Sequence, residues 1–567
     1  MNVTFYGAAR EVTGSCYQLE LNEKRIIIDC GMQQGHDEKN NQSLPFKPAD
    51  IDLVFLTHSH IDHSGRLPLM IKNGYVGKIY ATQKTCELIT IMLRDSAHIQ
   101  EMDAQWDNQK GKRAGRDLAV PLYTMADAEE TLQHLVPCSY DEVLTPMYGL
   151  TVKFTDAGHL LGSASIQFGM TENGVTKTIV FSGDIGNIGQ PIIRDPQYIK
   201  ESDYVVMEST YGDRDHEHGG AYTDDLAAII DETMKNGGNV IIPSFAVGRT
   251  QELLYFIREI KERQLVKSVP DFSVYVDSPL ANLATQIFDG DLTGYADEAT
   301  VELIRNGFRP LQFEGLFITE TTDESKGINF DTKPKIIISS SGMCDAGRIR
   351  HHLKHNLWRP ECTVVFVGFQ ANGTLGRMIL DGVKKVRLFG EEIAVAARII
   401  NFRGLSAHAD RTGLLKWIHS YEPKPQHVFV AHGETSVCDL FAESLAKEGY
   451  AVTAPNFETI FDLARNELVS AGIKVEELEE ASIRAKSAHA QYIVQPSRPE
   501  ISRLETGRTI LRTRPSQVKP AFNDYTRLLE AGIQLLDVIK RNESGSNGEL
   551  SKFTEQINAL TQKWNRK

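Results

Sequence analysis

Short apolar runs, separated by polar or glycine-rich turns, dominate the first part of the chain. Runs of this length are typical of buried or half-buried β-strands. They lie at residues 25–28, 53–56, 79–81, 150–154, 165–168 and 178–181. Helical periodicity occurs between some of them, most clearly over residues 84–108. A majority of strands, with helices available to cover them, indicates an α/β sandwich.

After about residue 208 the pattern changes to an apolar strand, a polar or glycine-containing turn and a helix, repeated along the chain. The predicted strands are 239–243, 273–276, 335–338 and 363–367. This alternation predicts a parallel sheet, in which the turns place helix N-termini and backbone N–H groups at the strand ends. This edge of the sheet could bind anions, although ordinary strand–helix crossovers without a ligand explain the same sequence pattern equally well. No glycine-rich nucleotide motif is present, so a nucleotide cofactor is not indicated.

The order of these patterns predicts an insertion. Residues 1–208 and 401–460 are expected to form one domain, into which residues 209–400 are inserted as a second. Residues 461–567 are expected to form a mostly helical C-terminal extension, with helices near 463–490, 522–541 and 549–565. The extension contains no catalytic motif.

Composition is that of a soluble globular protein. The 567 residues are 41% hydrophobic and 24% charged, and no apolar run is long enough to span a bilayer. The N-terminus lacks the basic and apolar regions of a signal peptide. The seven cysteines are scattered, odd in number and without a C-x-x-C pair, which indicates reduced thiols and predicts a cytoplasmic location. Any metal site would therefore use His, Asp and Glu.

Net charge argues against a nucleic-acid partner. The formal net charge is −14, although residues 110–116 and 498–519 are locally basic. Both basic stretches are as readily explained by a solvated surface. A divalent metal centre would also change the local field beyond what net charge describes.

The most informative segment directly follows the predicted strand at 53–56. It places three imidazoles and one carboxylate within six residues: His58, His60, Asp62 and His63. A metal ion needs several N and O donors that converge on one point. Further candidate donors also follow predicted strands: Asp29, His159, Asp184 and His432. Their common position predicts one metal site at one edge of the sheets.

These motifs, in this order, resemble the successive motifs of the metallo-β-lactamase fold. Three later segments resemble motifs of the β-CASP nucleases within that fold: Glu208-Ser209-Thr210-Tyr211-Gly212, Ser406-Ala407-His408-Ala409-Asp410 and Val430-Ala431-His432-Gly433-Glu434. The resemblance covers about residues 1–460. It implies a metallo-β-lactamase αββα sandwich with an inserted Rossmann-like β-CASP domain. The family includes prokaryotic relatives of the endonuclease subunit of the pre-mRNA cleavage and polyadenylation complex.

The resemblance also implies a ligand set. His58, His60 and His159 would hold a first zinc ion, and Asp62, His63 and His432 a second. Asp184 would bridge the two ions, and Asp29 would orient the cluster from behind. Manganese or iron would also suit an all-N/O ligand set.

Two metal ions and a proton donor suit phosphodiester hydrolysis. Asp62 and the bound ions would activate the attacking water molecule. His408, held by Glu208, is the expected general acid for the leaving 3′-oxygen. Ser406, Arg249, Arg348 and Arg377 are candidate contacts to the nucleic-acid backbone. His351, His352 and His355 lie in a predicted helix and are not expected to bind metal.

The expected function is therefore a zinc-dependent ribonuclease that acts on single-stranded RNA in a cleft between the two domains. A DNA nuclease, another hydrolase of the lactamase fold and a non-catalytic RNA-binding scaffold remain alternatives. The sequence leaves open endonuclease or 5′-exonuclease action, and it leaves a homodimer open as well.

Overall fold

The computed structural model describes residues 1–34, 41–112, 118–216, 222–368, 370, 373–402, 405–474 and 477. These residues belong to one compact unit, Met1–Ala488. The helices predicted at 522–541 and 549–565 lie outside the described residues. Within the described ranges, no helix is long and apolar enough to cross a membrane.

The first sheet contains eight strands among the described residues. In chain order they are β1 (Asn2–Gly7), β2 (Cys16–Leu21), β3 (Lys24–Ile28), β4 (Leu53–Phe55), β5 (Lys78–Thr82), β6 (Leu135–Cys138), β22 (Phe457–Asp462) and β23 (Glu467–Ile473). The strand order is β23-β22-β1-β2-β3-β4-β5-β6. Its outer face packs against helices through an apolar cluster that includes Leu67, Ile89 and Leu93. The helices α1 (Ile61–Ser64) and α2 (Leu67–Lys72) follow β4, and α3 (Gln83–Lys112) and α4 (Met125–Gln133) follow β5.

The second sheet contains seven strands and packs against the first. These strands are β7 (Val143–Met147), β8 (Leu150–Asp156), β9 (Ala164–Glu172), β10 (Val175–Phe181), β11 (Tyr204–Glu208), β20 (His427–Ala431) and β21 (Val452–Thr453). A core of fully buried aromatic side chains such as Phe55, Phe154 and Phe168 fills the space between the two sheets. On the outer face, Trp417 and Phe441 pack from α12 (Arg411–Ile418) and α13 (Thr435–Lys447). The layers are thus helix, sheet, sheet, helix.

The inserted domain is built on a third sheet, in which every strand pairing is parallel. Its strands run in the order β14-β13-β15-β12-β16-β19. They are β12 (Val240–Pro243), β13 (Ser273–Val276), β14 (Leu316–Ile318), β15 (Lys335–Ser339), β16 (Thr363–Phe366) and β19 (Arg398–Asn401). The helices are α5 (Tyr222–Lys235), α6 (Arg249–Glu262), α7 (Pro279–Phe288), α8 (Glu298–Arg305), α9 (Thr322–Phe330), α10 (Ile349–Asn356) and α11 (Leu375–Leu380). A hairpin of β17 (Lys385–Leu388) and β18 (Glu391–Ala394) follows α11. The parallel sheet expected from the strand–turn–helix repeats is confirmed.

One sequence-based expectation is wrong. A helix was expected from about 463, but residues 467–473 form β23, which pairs with β22, and β22 pairs with β1. The physical reason is strand pairing: Phe461 and Leu463 hold the end of β22 in the core between the sheets, and the mostly exposed β23 pairs antiparallel with β22 as the outer strand. The first sheet therefore continues past residue 460.

Strand direction explains where the site forms. In the first sheet, β3 and β4 are parallel. In the second sheet, β8 and β10 both run antiparallel to β9, while β11 and β20 run parallel to β10. The carboxyl ends of β8, β10, β11 and β20 therefore meet at one edge, and the segments after β3 and β4 reach the same edge.

Candidate metal centre

Four side chains from three loops converge to form the first half of the centre. The Nε2 of His58 lies 3.0 Å from the Nδ1 of His60, which lies 3.3 Å from the Nε2 of His159. The Oδ2 of Asp184 lies 3.5 Å from the Nε2 atoms of both His58 and His159. Three nitrogens and one oxygen thus surround a single point, as a metal ion requires.

The second half lies on the other side of the Asp184 carboxylate. Its Oδ1 is 3.2 Å from the Nε2 of His63 and 3.5 Å from the Nε2 of His432. These two nitrogens are 3.2 Å apart, and the Oδ2 of Asp62 lies 3.9 Å from the Nε2 of His432. One carboxylate oxygen of Asp184 therefore faces each group of imidazoles.

Hydrogen bonds from the Nδ1 atoms, on the side of the rings that faces away from the cluster, fix the tautomer of four histidines. The Nδ1 of His63 lies 2.8 Å from the Oδ2 of Asp29, and the Nδ1 of His159 lies 3.3 Å from the backbone oxygen of Ala407. Both oxygens only accept, so each Nδ1 carries the proton and each Nε2 turns a lone pair inwards. Thr57 and Thr210 act in the same way.

The Oγ1 of Thr57 donates to Asp29 and so accepts from the Nδ1 of His58, 3.1 Å away. The Oγ1 of Thr210 donates to the backbone oxygen of His432 and accepts from its Nδ1, also 3.1 Å away. The sequence reasoning missed both threonines and the carbonyl of Ala407. The position of Thr57 next to His58 was the only available signal.

The residues present fit divalent metal ions. The Oδ1 of Asp184 is buried and has no hydrogen-bond partner among the described residues. Burial lowers the pKa of both His58 and His159 well below its usual value, and their lone pairs remain free for a cation. A buried carboxylate oxygen without a partner, opposite inward-facing lone pairs, is unfavourable unless a cation balances it. An all-imidazole and carboxylate donor set suits zinc.

Backbone strain occurs at two residues of the centre. Asp29 and His432 have φ values of 57° and 47°, in the left-handed region that few non-glycine residues adopt. Each directly follows the last residue of its strand, β3 or β20, and turns its side chain towards the cluster. Such strain is typical of functional sites, where the surrounding structure holds it in place.

A proton-donor pair lies beside the cluster. The Nδ1 of His408 is 3.2 Å from both carboxylate oxygens of Glu208, and its Nε2 is 3.9 Å from the Oδ2 of Asp184. Burial by itself lowers the pKa of His408. The carboxylates of Glu208 and Asp184 raise this pKa by more than burial lowers it, to about 9. The imidazole is therefore protonated at neutral pH, in contrast to His58 and His159.

Backbone contacts set the position of this pair. His408 forms a β-bridge with Gly186, and the amide of Ala409 donates to the carbonyl of Ile185 at 2.8 Å. The amide of Ile185 in turn donates to Glu208. The loop after Asp184 thus aligns Glu208 and His408 with the candidate ligands.

The comparisons with known proteins agree with this geometry. The Metallo-beta-lactamase superfamily matches residues 9–216, the Beta-Casp domain matches residues 250–379, and the Zn-dependent metallo-hydrolase RNA specificity domain matches residues 392–455. Ribonuclease TTHA0252 of Thermus thermophilus is 36% identical over 460 residues, which are 81% of this chain and 99% of that protein. The chain belongs to the β-CASP family of metallo-β-lactamase-fold hydrolases.

Archaeal members of the β-CASP family are also similar. The transcription termination factor FttA of Methanosarcina mazei is 30% identical over 477 residues, covering 81% of this chain and 71% of that protein. FttA of Methanocaldococcus jannaschii is 30% identical over 471 residues, covering 79% of this chain and 69% of that protein. The predicted family and fold class are confirmed.

The four candidate substrate-binding residues of this β-CASP protein are not gathered at one point, as the candidate metal ligands are. Ser406 accepts a hydrogen bond from the amide of His408, at 3.3 Å, and so lies at the centre. Each arginine is held by a carboxylate of the inserted domain: Arg249 by Glu252, Arg348 by Asp277, and Arg377 by Asp381.

Two histidines of α10 have partners within the inserted domain. His352 is fully buried and lies 2.6 Å from the Oδ2 of Asp277, whose Oδ1 lies 2.7 Å from Arg348. His351 instead stacks on Phe389. The structure thus gives His352 a role in internal packing, and among the described residues the candidate metal clusters all lie at the first two sheets.

Proposed function

We propose that the protein is a ribonuclease that hydrolyses phosphodiester bonds of single-stranded RNA with two bound zinc ions. One observation carries the proposal: Asp184 stands between two groups of inward-facing imidazoles, and the protonated His408 lies beside it. Hydrolases that need only a metal-activated water do not require such a donor. The membership of the β-CASP family supports the same reading.

The chain supplies separate ligands for each ion. His58, His60 and His159 would hold the first, and Asp62, His63 and His432 the second, with Asp184 shared between them. When bound, two divalent ions lower the pKa of a water molecule and neutralise charge on the phosphate oxygens. Manganese or iron would bind the same donors.

The remaining residues act on the leaving group and on the substrate. His408 donates the proton on its Nε2 to the leaving 3′-oxygen, which otherwise departs as a poor alkoxide leaving group. Glu208 accepts from the Nδ1 and so keeps the Nε2 proton pointed at the reaction centre. Ser406 and Arg348 are proposed to contact phosphate oxygens; Arg249 and Arg377, each held by a carboxylate on its own helix, are weaker candidates.

RNA is favoured over DNA by the comparisons. The segment 392–455, which carries His408 and His432, matches a domain described as conferring RNA specificity, and the Thermus relative is named a ribonuclease. Net charge does not oppose this, because bound divalent cations make the centre locally positive. A cytoplasmic location and a homodimer stay predictions.

Labelled substrates test the proposal. Zinc-loaded protein would be incubated with 5′-labelled RNA, internally labelled RNA and DNA of the same sequence, with the His408→Ala variant as control. Cleavage of RNA in preference to DNA, lost in the variant, supports the proposal. Faster cleavage of DNA favours the DNA nuclease. Intact nucleic acid with fewer than two ions bound per chain favours the non-catalytic scaffold, and intact nucleic acid with two ions bound favours another hydrolase of the lactamase fold.

A further inference from the structure

Phe245 is an exposed aromatic residue at the carboxyl edge of the parallel sheet. It follows the end of β12 by two residues, and 41% of it is exposed, although Ser244 and Val247 on either side are buried. The ring lies against two glycines from neighbouring turns. A Cβ at Gly342 would lie 3.1 Å from its Cδ2, and one at Gly368 would lie 3.4 Å from its Cε2. The glycines thus leave room for the ring to rest on the ends of β15 and β16.

The edge that carries Phe245 adjoins the metal centre. A Cβ at Gly248 would lie 2.9 Å from the Cδ1 of Leu160, the residue that follows His159. Leu160 and Val247 belong to the same buried apolar cluster, which joins the inserted domain to the first two sheets. Since Phe245 precedes Gly248 by three residues, its Cα lies within about 11 Å of that contact.

Polar groups suited to a nucleic-acid strand lie along the same edge. Ser340, in the turn after β15, is partly exposed, and its hydroxyl lies 2.7 Å from that of the buried Ser278, in the turn after β13. Arg348 reaches this rim from the start of α10, where 21% of its side chain is exposed. Parallel sheets generally bind ligands at the carboxyl ends of their strands. An aromatic ring beside hydroxyl and guanidinium groups is the arrangement that holds unpaired bases.

Two more strongly exposed aromatic residues of the inserted domain lack this placement. Phe330 and Trp358 are 76% and 56% exposed, but they precede β15 and β16 and so lie towards the opposite, amino-terminal edge. Exposure alone therefore does not distinguish Phe245. The contact of its ring with Gly342 and Gly368, and its position next to the metal centre, do.

We propose that Phe245 is a stacking site for a nucleobase of a single-stranded RNA bound next to the metal centre. Stacking is tolerant of sequence, because every base has a π-face. The site would fix the strand so that a phosphate close to the stacked base reaches the metal ions. This inference rests on the proposed ribonuclease function and names the part of the substrate that the inserted domain holds.

Binding of single-stranded RNA tests the site. Fluorescence anisotropy would be measured in the His408→Ala background, so that the RNA is not consumed, for Phe245→Ala, Phe245→Leu and Phe245→Tyr. We expect the Ala and Leu variants to bind about tenfold more weakly or worse, and the Tyr variant to bind like the parent. The Leu variant keeps apolar contact with Gly342 and Gly368 but has no π-face. Phe330→Ala is the matched control and should leave affinity unchanged.

An abasic nucleotide placed at successive positions of the RNA locates the stacked base. At one position the abasic RNA should bind the parent about tenfold more weakly, but should bind Phe245→Ala no more weakly than intact RNA does. Affinity that is equal in parent and Phe245→Ala, or equally impaired by Leu and Tyr, would overturn the proposal.

Hydrolysis of bis(p-nitrophenyl) phosphate by the active protein separates this proposal from the proposed function. Phe245→Ala should hydrolyse this small ester at the parent rate while its KM for RNA rises. If the parent cleaves RNA and Phe245→Ala has an unchanged KM, the stacking site is wrong and the ribonuclease assignment stands. If the parent binds RNA through Phe245 but never cleaves it, the ribonuclease assignment is wrong and the stacking site stands.

Discussion

The Nδ1 of His408 lies 3.2 Å from both carboxylate oxygens of Glu208, and its Nε2 is turned towards Asp184. This contact distinguishes His408 from two of the candidate ligands, His58 and His159. His58 and His159 have lowered pKa values and present lone pairs, whereas the pKa of His408 is raised to about 9. A neutral imidazole suits metal binding, and a protonated one suits donation of a proton. Against the effect of burial, the pKa of His63 is also raised, by Asp184 and Asp29, and a bound cation would lower it.

Replacement of His408 should therefore affect leaving groups unequally. His408→Ala is expected to lower the rate of RNA cleavage by about 10²- to 10⁴-fold, because a 3′-alkoxide needs a proton as it departs. Hydrolysis of bis(p-nitrophenyl) phosphate should fall much less, because p-nitrophenolate leaves without one. Metal content, measured by mass spectrometry, should stay at the parent value. Equal losses on both substrates would contradict the role of His408 as the acid.

The pH dependence of cleavage should report the Glu208 contact. Because the acid acts when protonated, the rate should fall as pH rises through the pKa of His408. Bound cations lower that pKa below the value of about 9, and Glu208→Gln should lower it further by removing the negative partner. The measurement is the rate profile over neutral to alkaline pH. An alkaline limb at the same pH in parent and variant would show that Glu208 does not hold the acid.

Metal content should depend more on the shared carboxylate of Asp184 than on Thr210, which holds the ring of the ligand His432. Asp184→Asn is expected to reduce bound zinc to below one ion per chain, because both groups of imidazoles lose their common anion. Thr210→Val removes the hydroxyl that accepts from the Nδ1 of His432 and donates to its backbone oxygen, and it should weaken metal affinity by about 10- to 100-fold. Thr151→Val, on an exposed face of β8, is the control. Unchanged zinc in Asp184→Asn would refute the shared-ligand arrangement.

The stability of the inserted domain should depend on Asp277. Burial raises the pKa of this carboxyl, but hydrogen bonds from four side chains, that of His352 foremost, lower it more, and the pKa falls below its usual range. Asp277→Asn leaves His352 and Arg348 without their anion and should cost about 3–5 kcal/mol of unfolding free energy. Asp323→Asn is the control, since the Asp323–Lys326 pair is exposed and should contribute less than about 1 kcal/mol.

The contribution of Asp277 should also depend on pH. A carboxyl whose pKa is lowered by folding stabilises the protein above its unfolded pKa of about 3.9, and this stabilisation is lost as pH falls. Urea unfolding of parent and Asp277→Asn should therefore differ most near neutral pH and converge below about pH 4. A difference that grew on acidification would contradict the assigned pKa direction.

Residue identity and strand endings predicted an α/β sandwich with an inserted parallel sheet and indicated the cluster, and the resemblance of the motifs supplied the metallo-β-lactamase and β-CASP folds. Each nominated donor follows an apolar run, and the carboxyl ends of β8, β10, β11 and β20 do meet at one edge. The partners behind the imidazoles could not be predicted, because Thr210 and the carbonyl of Ala407 reach them only through loop geometry. The hairpin of β22 and β23 was missed, since its partner β1 lies at the other end of the chain.

Two of the three arginine pairs follow a local sequence pattern. Arg249 and Glu252, and likewise Arg377 and Asp381, stand three and four residues apart in helices, the spacing at which side chains pair. Arg348 and Asp277 are 71 residues apart, and no local pattern reveals their contact.

A zinc titration of metal-free protein, followed by cleavage of internally labelled single-stranded RNA, tests the central claim most directly. We predict no cleavage in the chelated protein, cleavage that appears as bound zinc approaches two ions per chain, and none in Asp184→Asn at the same zinc concentration. Cleavage by the metal-free protein, or intact RNA in the presence of protein carrying two zinc ions, would contradict the account.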